Sequence, residues 1–239
     1  MKRIIVNVGV GQWYPRGQAR LRDSLQAHGA GAELHFYGDW PPGAPAHSVL
    51  PFAFKAHAMM LAQRAGAESI LWLDCSCWAV RSLEPLWDKI ERDGFCFMNN
   101  GWHLGQWASD YCLDLFGLTR DEAMTKLDLT AMLMGLSMRD PRAVAWMDEF
   151  YLHCHNPRLM NGSLHNRPGQ EIVDPHSGVN YGIISADPRC RGHSREQVVA
   201  GLLAHKHGLL PYTNPPEILQ CLHPDWKPDD RAVIQACGM

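Results

Sequence analysis

In the stretch Glu68-Ser-Ile-Leu-Trp-Leu-Asp-Cys-Ser76, four consecutive apolar residues, Ile70 to Leu73, are bounded by Ser69 and Asp74. A short apolar run without alternation predicts a strand buried on both faces. That pattern belongs to α/β proteins, and it places Asp74 at the carboxyl end of the strand. There the loops of an open α/β sheet diverge and leave a crevice for ligands. A carboxylate at that edge can hold a divalent cation, and a cation can hold a diphosphate.

The flanking segments alternate in the same way. Arg3 to Val10 predicts a first strand, Gly9-Val-Gly-Gln-Trp-Tyr-Pro-Arg-Gly17 a glycine-rich loop, and Arg16 to His28 a helix. Such a loop can bring backbone N–H groups towards a phosphate or base. Trp13 or Tyr14 is either a stacking face for that ligand or an aromatic packed on the sheet. The spacing is not the Gly-x-Gly-x-x-Gly fingerprint, which disfavours a nicotinamide enzyme. Ala32 to Tyr37 predicts a second strand, Gly38 to Pro45 a proline-rich loop, and Phe52 to Ala65 a helix carrying Lys55. Ser82 to Arg92 predicts another helix, and Phe95 to Met98 a strand emptying into Asn99-Asn-Gly-Trp-His-Leu-Gly-Gln-Trp107. Indole faces beside amides and an imidazole suit a carbohydrate, so Asn99, Asn100, Trp102, His103 and Trp107 are candidates for the acceptor side of the crevice.

Further along, a helix is expected from Gln106 to Phe116, then a short one opened by the capping box Thr119-x-x-Glu122. Leu129 to Leu136 predicts a buried strand and Asp140 to His155 a long helix. Asn156 to Asn180 is expected to be irregular, a lid in which Asp174 and His176 are further candidates. A strand over Val179 to Ser185, a helix from Gly192 to His207 and a short strand over Leu209 to Tyr212 complete the pattern. Glu196 and Gln197 stand at the start of that helix, where Ser194-x-x-Gln197 also reads as a capping box that would consume the glutamine.

The strand ending in Asp74-Cys-Ser76, followed by Arg81-Ser-Leu-Glu-Pro-Leu86, resembles the Asp-x-Asp core of nucleotide-sugar-dependent glycosyltransferases of the GT-A fold. It is most similar to the branch containing glycogenin-like and bacterial lipopolysaccharide galactosyltransferases. The resemblance implies an α/β/α sandwich with a mostly parallel central sheet and transfer of a sugar from a nucleotide diphosphate sugar, UDP-sugar favoured, to an acceptor hydroxyl. Asp74 and Ser76 map onto the two Asp-x-Asp positions, and His223, in Gln220-Cys-Leu-His-Pro-Asp-Trp-Lys-Pro228, onto the late histidine that shares the metal, Mn2+ or Mg2+. Gly9, Gly11, Trp13 and Tyr14 fall in the base and ribose loop, and Lys55 and Lys227 match residues facing the diphosphate. Ala131 and Gly135 match a strand that passes beneath the donor sugar. Glu196 and Gln197 resemble the Asp-Gln pair of retaining enzymes, which contacts the sugar, so the catalytic set is Asp74, Glu196 and Gln197.

With 239 residues, 46% of them hydrophobic, the chain suits one large domain over residues 1–239. The formal charge of −3 gives no global pull towards nucleic acid or anionic membrane. No apolar run approaches a membrane span of about 18 residues, and the opening Met-Lys-Arg-Ile-Ile-Val is short for a secretory signal, so a cytoplasmic protein is expected. Eight scattered cysteines point to buried free thiols. The acceptor is a glycan, a lipid-linked group or another hydroxyl. A phage-type DNA glycosyltransferase acting on a hydroxymethylated base is an alternative, with Arg158, Arg167, Arg189, Arg191 and Arg195 as its basic track. A non-catalytic sugar-nucleotide-binding module is a second. A nucleotidyltransferase is weaker, because its glycine- and lysine-rich N-terminal signature is missing.

Overall fold

The structure, a computed structural model of the chain, describes residues 1–212, 218–222 and 232–237. Its elements in order are β1 (Arg3–Val8), α1 (Tyr14–His28), β2 (Glu33–Tyr37), α2 (Ala53–Arg64), β3 (Ser69–Leu73), β4 (Cys77–Ala79), α3 (Glu84–Asp93), β5 (Phe95–His103), α4 (Leu104–Trp107) and α5 (Asp110–Leu115). There follow α6 (Arg120–Met124), β6 (Leu127–Ser137), α7 (Pro141–His153), α8 (Pro157–Met160), β7 (Glu171–Val173), β8 (Asn180–Ile183), α9 (Glu196–Lys206), β9 (Leu219–Leu222) and β10 (Ile234–Cys237).

The main sheet runs β2-β1-β3-β6-β5. β1 pairs parallel with β2 and β3, whereas β6 is antiparallel to both β3 and β5. Four strands therefore point one way, and β6 alone is reversed. Because side chains alternate across a strand, the run Ile70 to Leu73 feeds two cores. Ile70 and Trp72 join Ile4 and Val6 beneath α2, α7 and α9, while Leu71 and Leu73 join Ile5 beneath α1 and α3. That is the expected α/β/α sandwich, and it explains why the strand carries no polar face. β4, β10 and β9 form a second small sheet beside the second core.

Several expected boundaries shift. β5 continues to His103 instead of stopping at Met98, with register breaks after Phe97 and Asn99. Asn99, Asn100, Trp102 and His103 are thus on a distorted strand. The helix expected over 106–116 divides into α4 and α5, separated by Ala108 and Ser109, with the Ser109 side chain capping the second piece. The expected lid contains α8 and a hairpin of β7 and β8, so the strand expected over 179–185 pairs with β7 and not with the main sheet. The strand expected at 209–212 is a single parallel bridge from Tyr212 to Met98. No helix among the described residues is long and apolar enough to cross a membrane. The cysteines of the described residues are free, and six of them are buried.

Candidate active site

Three distant segments meet at the carboxyl edge of β3. Lys55, in the first turn of α2, places Nζ 3.0 Å from Asp74 Oδ1 and 3.0 Å from Glu196 Oε1. It also donates to the Ala131 carbonyl at 3.3 Å. Those three acceptors match the three protons of an ammonium group. The β5–β6 register jumps between Met134 and Leu129, so Ala131 lies in a stretch of β6 that is not paired in register with β5. Trp72 and Asp74 lie on one face of the strand, and the Trp72 indole N–H donates to Asp74 Oδ1 at 2.7 Å.

Lys55 and Glu196 are buried, whereas about a quarter of the Asp74 side chain is exposed. Burial alone would lower the lysine, yet Asp74 and Glu196 together hold it above its ordinary range. Two carboxylates share one cation, so burial raises Glu196 in spite of Lys55. With both ionised the triad carries a net charge of −1, and Lys55 has no proton left for a further ligand.

Beside the triad opens a cavity of about 320 Å³, lined by Val8, Gly11, Tyr14, Trp40, Phe54 and Ser76 among others. Trp40, Phe54 and Trp72 form an aromatic chain, with centroids 5.4 and 6.3 Å apart. His47 is kept below its usual pKa by burial and by Arg195 and Lys55. Its ring meets Phe52 edge-on at 4.6 Å. Among the described residues, Phe52 and Arg195 are the non-glycine residues with positive φ, at 62° and 54°, and each precedes a helix that delivers a member of the triad. Strain of this kind persists where surrounding packing over-determines the backbone, and it clusters at functional sites. Arg195 lies 5.5 Å over the Phe52 ring. Its Nη2 donates to the Gly162 carbonyl at 2.8 Å, its Nε is buried without a partner, and among the described residues it pairs with no carboxylate.

The turn after β3 is held from below. A Cβ on Gly17 would collide with the Cys75 carbonyl, so only glycine lets α1 approach it. Arg20, one turn on, donates to the Cys75 and Ser76 carbonyls at 3.3 and 3.0 Å and stacks on Trp78. Arg20 carries no signal in the sequence, and Gly17 stands out there only as the end of the glycine-rich loop.

Other sequence candidates are sorted by the fold. Gly11 and Tyr14 line the cavity, but Trp13 is 60% exposed and faces Arg16. Gly9 gives room to the Gln18 side chain, which spans Asn7 and the Tyr37 carbonyl. Gly135 is not at the site: a Cβ there would strike Ile90 of α3 at 2.6 Å, so its smallness serves helix packing. Gln197 is not consumed by a capping box. Ser194 Oγ is unpartnered, and the glutamine instead donates from Nε2 to Asp128 at 3.1 Å and accepts from Ala131 N at 3.4 Å. Asn100 reaches the same Asp128 carboxylate at 2.8 Å. Asp128, a lone acid in an apolar strand, carries no signal in the sequence.

In the segment expected to face an acceptor, Trp102 and Trp107 meet edge to face at 5.8 Å, and Arg191 lies 4.5 Å over Trp102. The His103 backbone N–H is capped by Gln106, and Asn99 closes a local turn to Gly101. Asp174 and His176 stand apart, in the β7–β8 turn on a different cavity, with His176 bonded to the Ser48 carbonyl. The five arginines do not form a row of free charges, because Arg189 is paired with Asp187 and Asp121 and Arg158 packs on Tyr111. His223 and Lys227 lie outside the described residues.

No protein-family model matches the chain, and no curated protein matches it in sequence. Solved structures are similar to the chain, and two of them are glycosyltransferases. The apo form of mouse xyloside xylosyltransferase 1 covers 99% of this chain and 97% of its own, at 11% identity and a TM-score of 0.50. A glycosyltransferase involved in the glycosylation of the major capsid of PBCV-1 covers 65% of this chain and 68% of its own, at 10% identity and a TM-score of 0.39. The likeness to the mouse enzyme spans the whole sandwich, and it is one of fold.

Proposed function

We propose that this chain is a glycosyltransferase that moves a sugar from a nucleotide diphosphate sugar, UDP-sugar favoured, to an acceptor hydroxyl. The observation that carries the reading is the Lys55-Asp74-Glu196 contact. Three positions that carry the resemblance, more than 100 residues apart at the extremes, meet at one sheet edge beside an aromatic cavity. The fold shared with a xylosyltransferase is consistent with it.

In this reading the base and ribose enter the cavity and stack against Tyr14, Trp40 or Phe54. The diphosphate then lies towards Asp74 and Ser76. Positive charge growing on the anomeric carbon is favoured beside a triad of net charge −1. Because Lys55 is fully engaged, its part is to hold the two carboxylates together. Charge leaving on the diphosphate falls to Arg195, which has no carboxylate partner among the described residues, and to Lys227.

The oxygen donors fit a hard cation. Asp74 Oδ2 makes a long contact to Lys55 at 3.4 Å, Ser76 Oγ reaches the Met132 sulfur at 3.7 Å, and both residues line the cavity. No group of three histidine, cysteine or acidic side chains among the described residues is arranged for a metal. Magnesium sites of this kind use one or two carboxylates and let substrate phosphates complete the shell. Asp74 and Ser76, with His223, are the residues assigned to Mn2+ or Mg2+, which when bound neutralises the leaving diphosphate.

The test is a thermal-shift screen with UDP, GDP, CDP and dTDP, each with and without Mn2+, followed by donor turnover with the nucleotide that binds. Ligands selective for the folded state raise the midpoint. A shift with one nucleotide and release of its diphosphate from the matching sugar nucleotide is the expected result, and product stereochemistry then reports retention or inversion. Binding without turnover would turn the assignment to a sugar-nucleotide-binding module, and no shift with any nucleotide would overturn it.

A further inference from the structure

Asp128, on β6, stands between the two halves of the site, and none of the roles above uses it. Its side chain is fully buried. Oδ1 accepts from Leu129 N at 2.9 Å, and Oδ2 accepts from Asn100 Nδ2 at 2.8 Å and from Gln197 Nε2 at 3.1 Å. All three partners donate, so the contacts suit the ionised, acceptor-only carboxylate. The packing is made for this approach. A Cβ on Gly201 of α9 would lie 3.0 Å from Asp128 Oδ1 and 2.6 Å from Leu104 Cδ2, so glycine lets the helix lie down over the acid. Beyond Asp128 the chain of contacts continues in both directions. Asn100 Oδ1 accepts from the Trp102 backbone N–H at 2.9 Å, and Gln197 Oε1 accepts from Ala131 N, whose carbonyl holds Lys55.

We propose that Asp128 is a positioning residue that orients the Gln197 and Asn100 amides together, aligning donor and acceptor sides only while its carboxylate is ionised; this rests on the transferase reading. Adding a proton converts one acceptor oxygen into a donor facing an N–H. On Oδ2 the new hydroxyl faces both side-chain amides, and it can donate only if one of them rotates by half a turn to present its oxygen. For Gln197 that rotation sets Nε2 against the Ala131 N–H, donor against donor, and the second bond is lost. For Asn100 it turns Nδ2 against the Trp102 N–H in the same way.

Burial, working against the three hydrogen bonds, pushes Asp128 up to about 6. The titratable groups on α9 and β5, the elements packed against it, are Glu196, His205 and Lys206 of α9 and Cys96 and His103 of β5, and Lys206 is paired with Glu149. Burial holds His205 below its ordinary value and raises Glu196. The experiment must therefore separate Asp128 from Glu196.

The side-chain amide signals of Gln197 and Asn100, assigned by their loss in Gln197→Ala and Asn100→Ala, are followed by NMR in the wild type and in Asp128→Asn. The range is about pH 5 to about pH 8, which brackets the raised carboxyl, and donor turnover is measured over the same range. In the wild type both amides are expected to shift with one midpoint near 6, and turnover to fall about tenfold or more below it. In Asp128→Asn the signals stay fixed, and the slower turnover loses its acid limb. Amide signals that do not move in the wild type, or that keep the same midpoint in the variant, overturn the proposal; the first of these needs no variant to fold. Amides that titrate as expected in a protein that turns over no sugar nucleotide leave the coupling standing and remove the transferase reading instead.

Discussion

The two sides of this crevice, which the proposed function assigns to donor and acceptor, are built differently. On the donor side a buried ammonium is locked between two carboxylates and a carbonyl, with every proton assigned. On the acceptor side Trp102 is 38% exposed, and its partners are an edge contact from Trp107 and a stacked Arg191 that pairs with no carboxylate among the described residues. Charge taken out of water must be completely satisfied, and any change to it disturbs its neighbours. An exposed aromatic ledge owes little to the rest of the fold and can change without cost to it. A nucleotide diphosphate calls for the first kind of construction, whereas an acceptor surface is free to be of the second kind.

The sharpest way to break this contrast is Lys55→Ala. It leaves Asp74 and Glu196 facing each other without a cation, a loss expected to cost about 3–5 kcal/mol of stability. Urea unfolding should show it, and donor turnover should fall about a thousandfold or more. A stability loss under about 1 kcal/mol would mean that the triad is not the anchor of the donor side.

Next in size is the pH dependence contributed by Asp128. Its folded-state value is raised, so between the ordinary aspartate range and about 6 the folded protein holds more protons than the unfolded chain. This contribution is therefore full at the acid end and is lost as pH rises through about 6. Raising a carboxyl this far above its ordinary value corresponds to about 3 kcal/mol at most. The stability of wild type relative to Asp128→Asn should decline from about pH 4 to about pH 6.5 and level off above; a flat difference would mean that the buried acid does not set this dependence.

Arg195→Gly separates strain from charge within the donor side. At φ 54° and ψ −120° the arginine occupies a conformation that glycine adopts freely. Its backbone strain is expected to be relieved by about 1–2 kcal/mol. Turnover should nevertheless fall, because the guanidinium facing Phe52 and Gly162 is gone. A variant that is both less stable and fully active would reverse both assignments.

The same contrast governs what is legible in the sequence. Asp74 can be read there because the strand before it is apolar on both faces, and Lys55 and Glu196 through the order of the motifs. Trp72 could be added, since residues two apart on a strand share a face and an indole N–H beside a carboxylate has an obvious partner. Gly135 is misplaced by sequence reasoning because a small residue in a strand admits a ligand or a helix equally well, and here the space belongs to Ile90. Asp128 escapes it because a single acid between Leu127 and Leu129 carries no spacing signal. Its partners at positions 100 and 197 come together only through the sheet and α9. The division of 106–116 into two helices depends on a serine cap at 109 inside an otherwise continuous pattern, where local capping competes with helix extension.

The smallest expected effect tests the acceptor ledge itself. Trp102→Ala removes an exposed ring whose neighbours are an edge contact and a guanidinium, so unfolding stability should change by no more than about 0.5 kcal/mol. If the ring stacks on a sugar acceptor, its loss removes about 1 kcal/mol of binding. The acceptor KM should then rise about fivefold while donor KM and donor hydrolysis stay as they were. That split is what the two constructions require: damage to the ledge is felt by one substrate alone, because the bonds from Asn100 to Asp128 and from Gln197 to Ala131 do not pass through the indole. Were donor hydrolysis to fall together with acceptor binding, Trp102 would belong to the buried network after all, and the two sides of the crevice would be one.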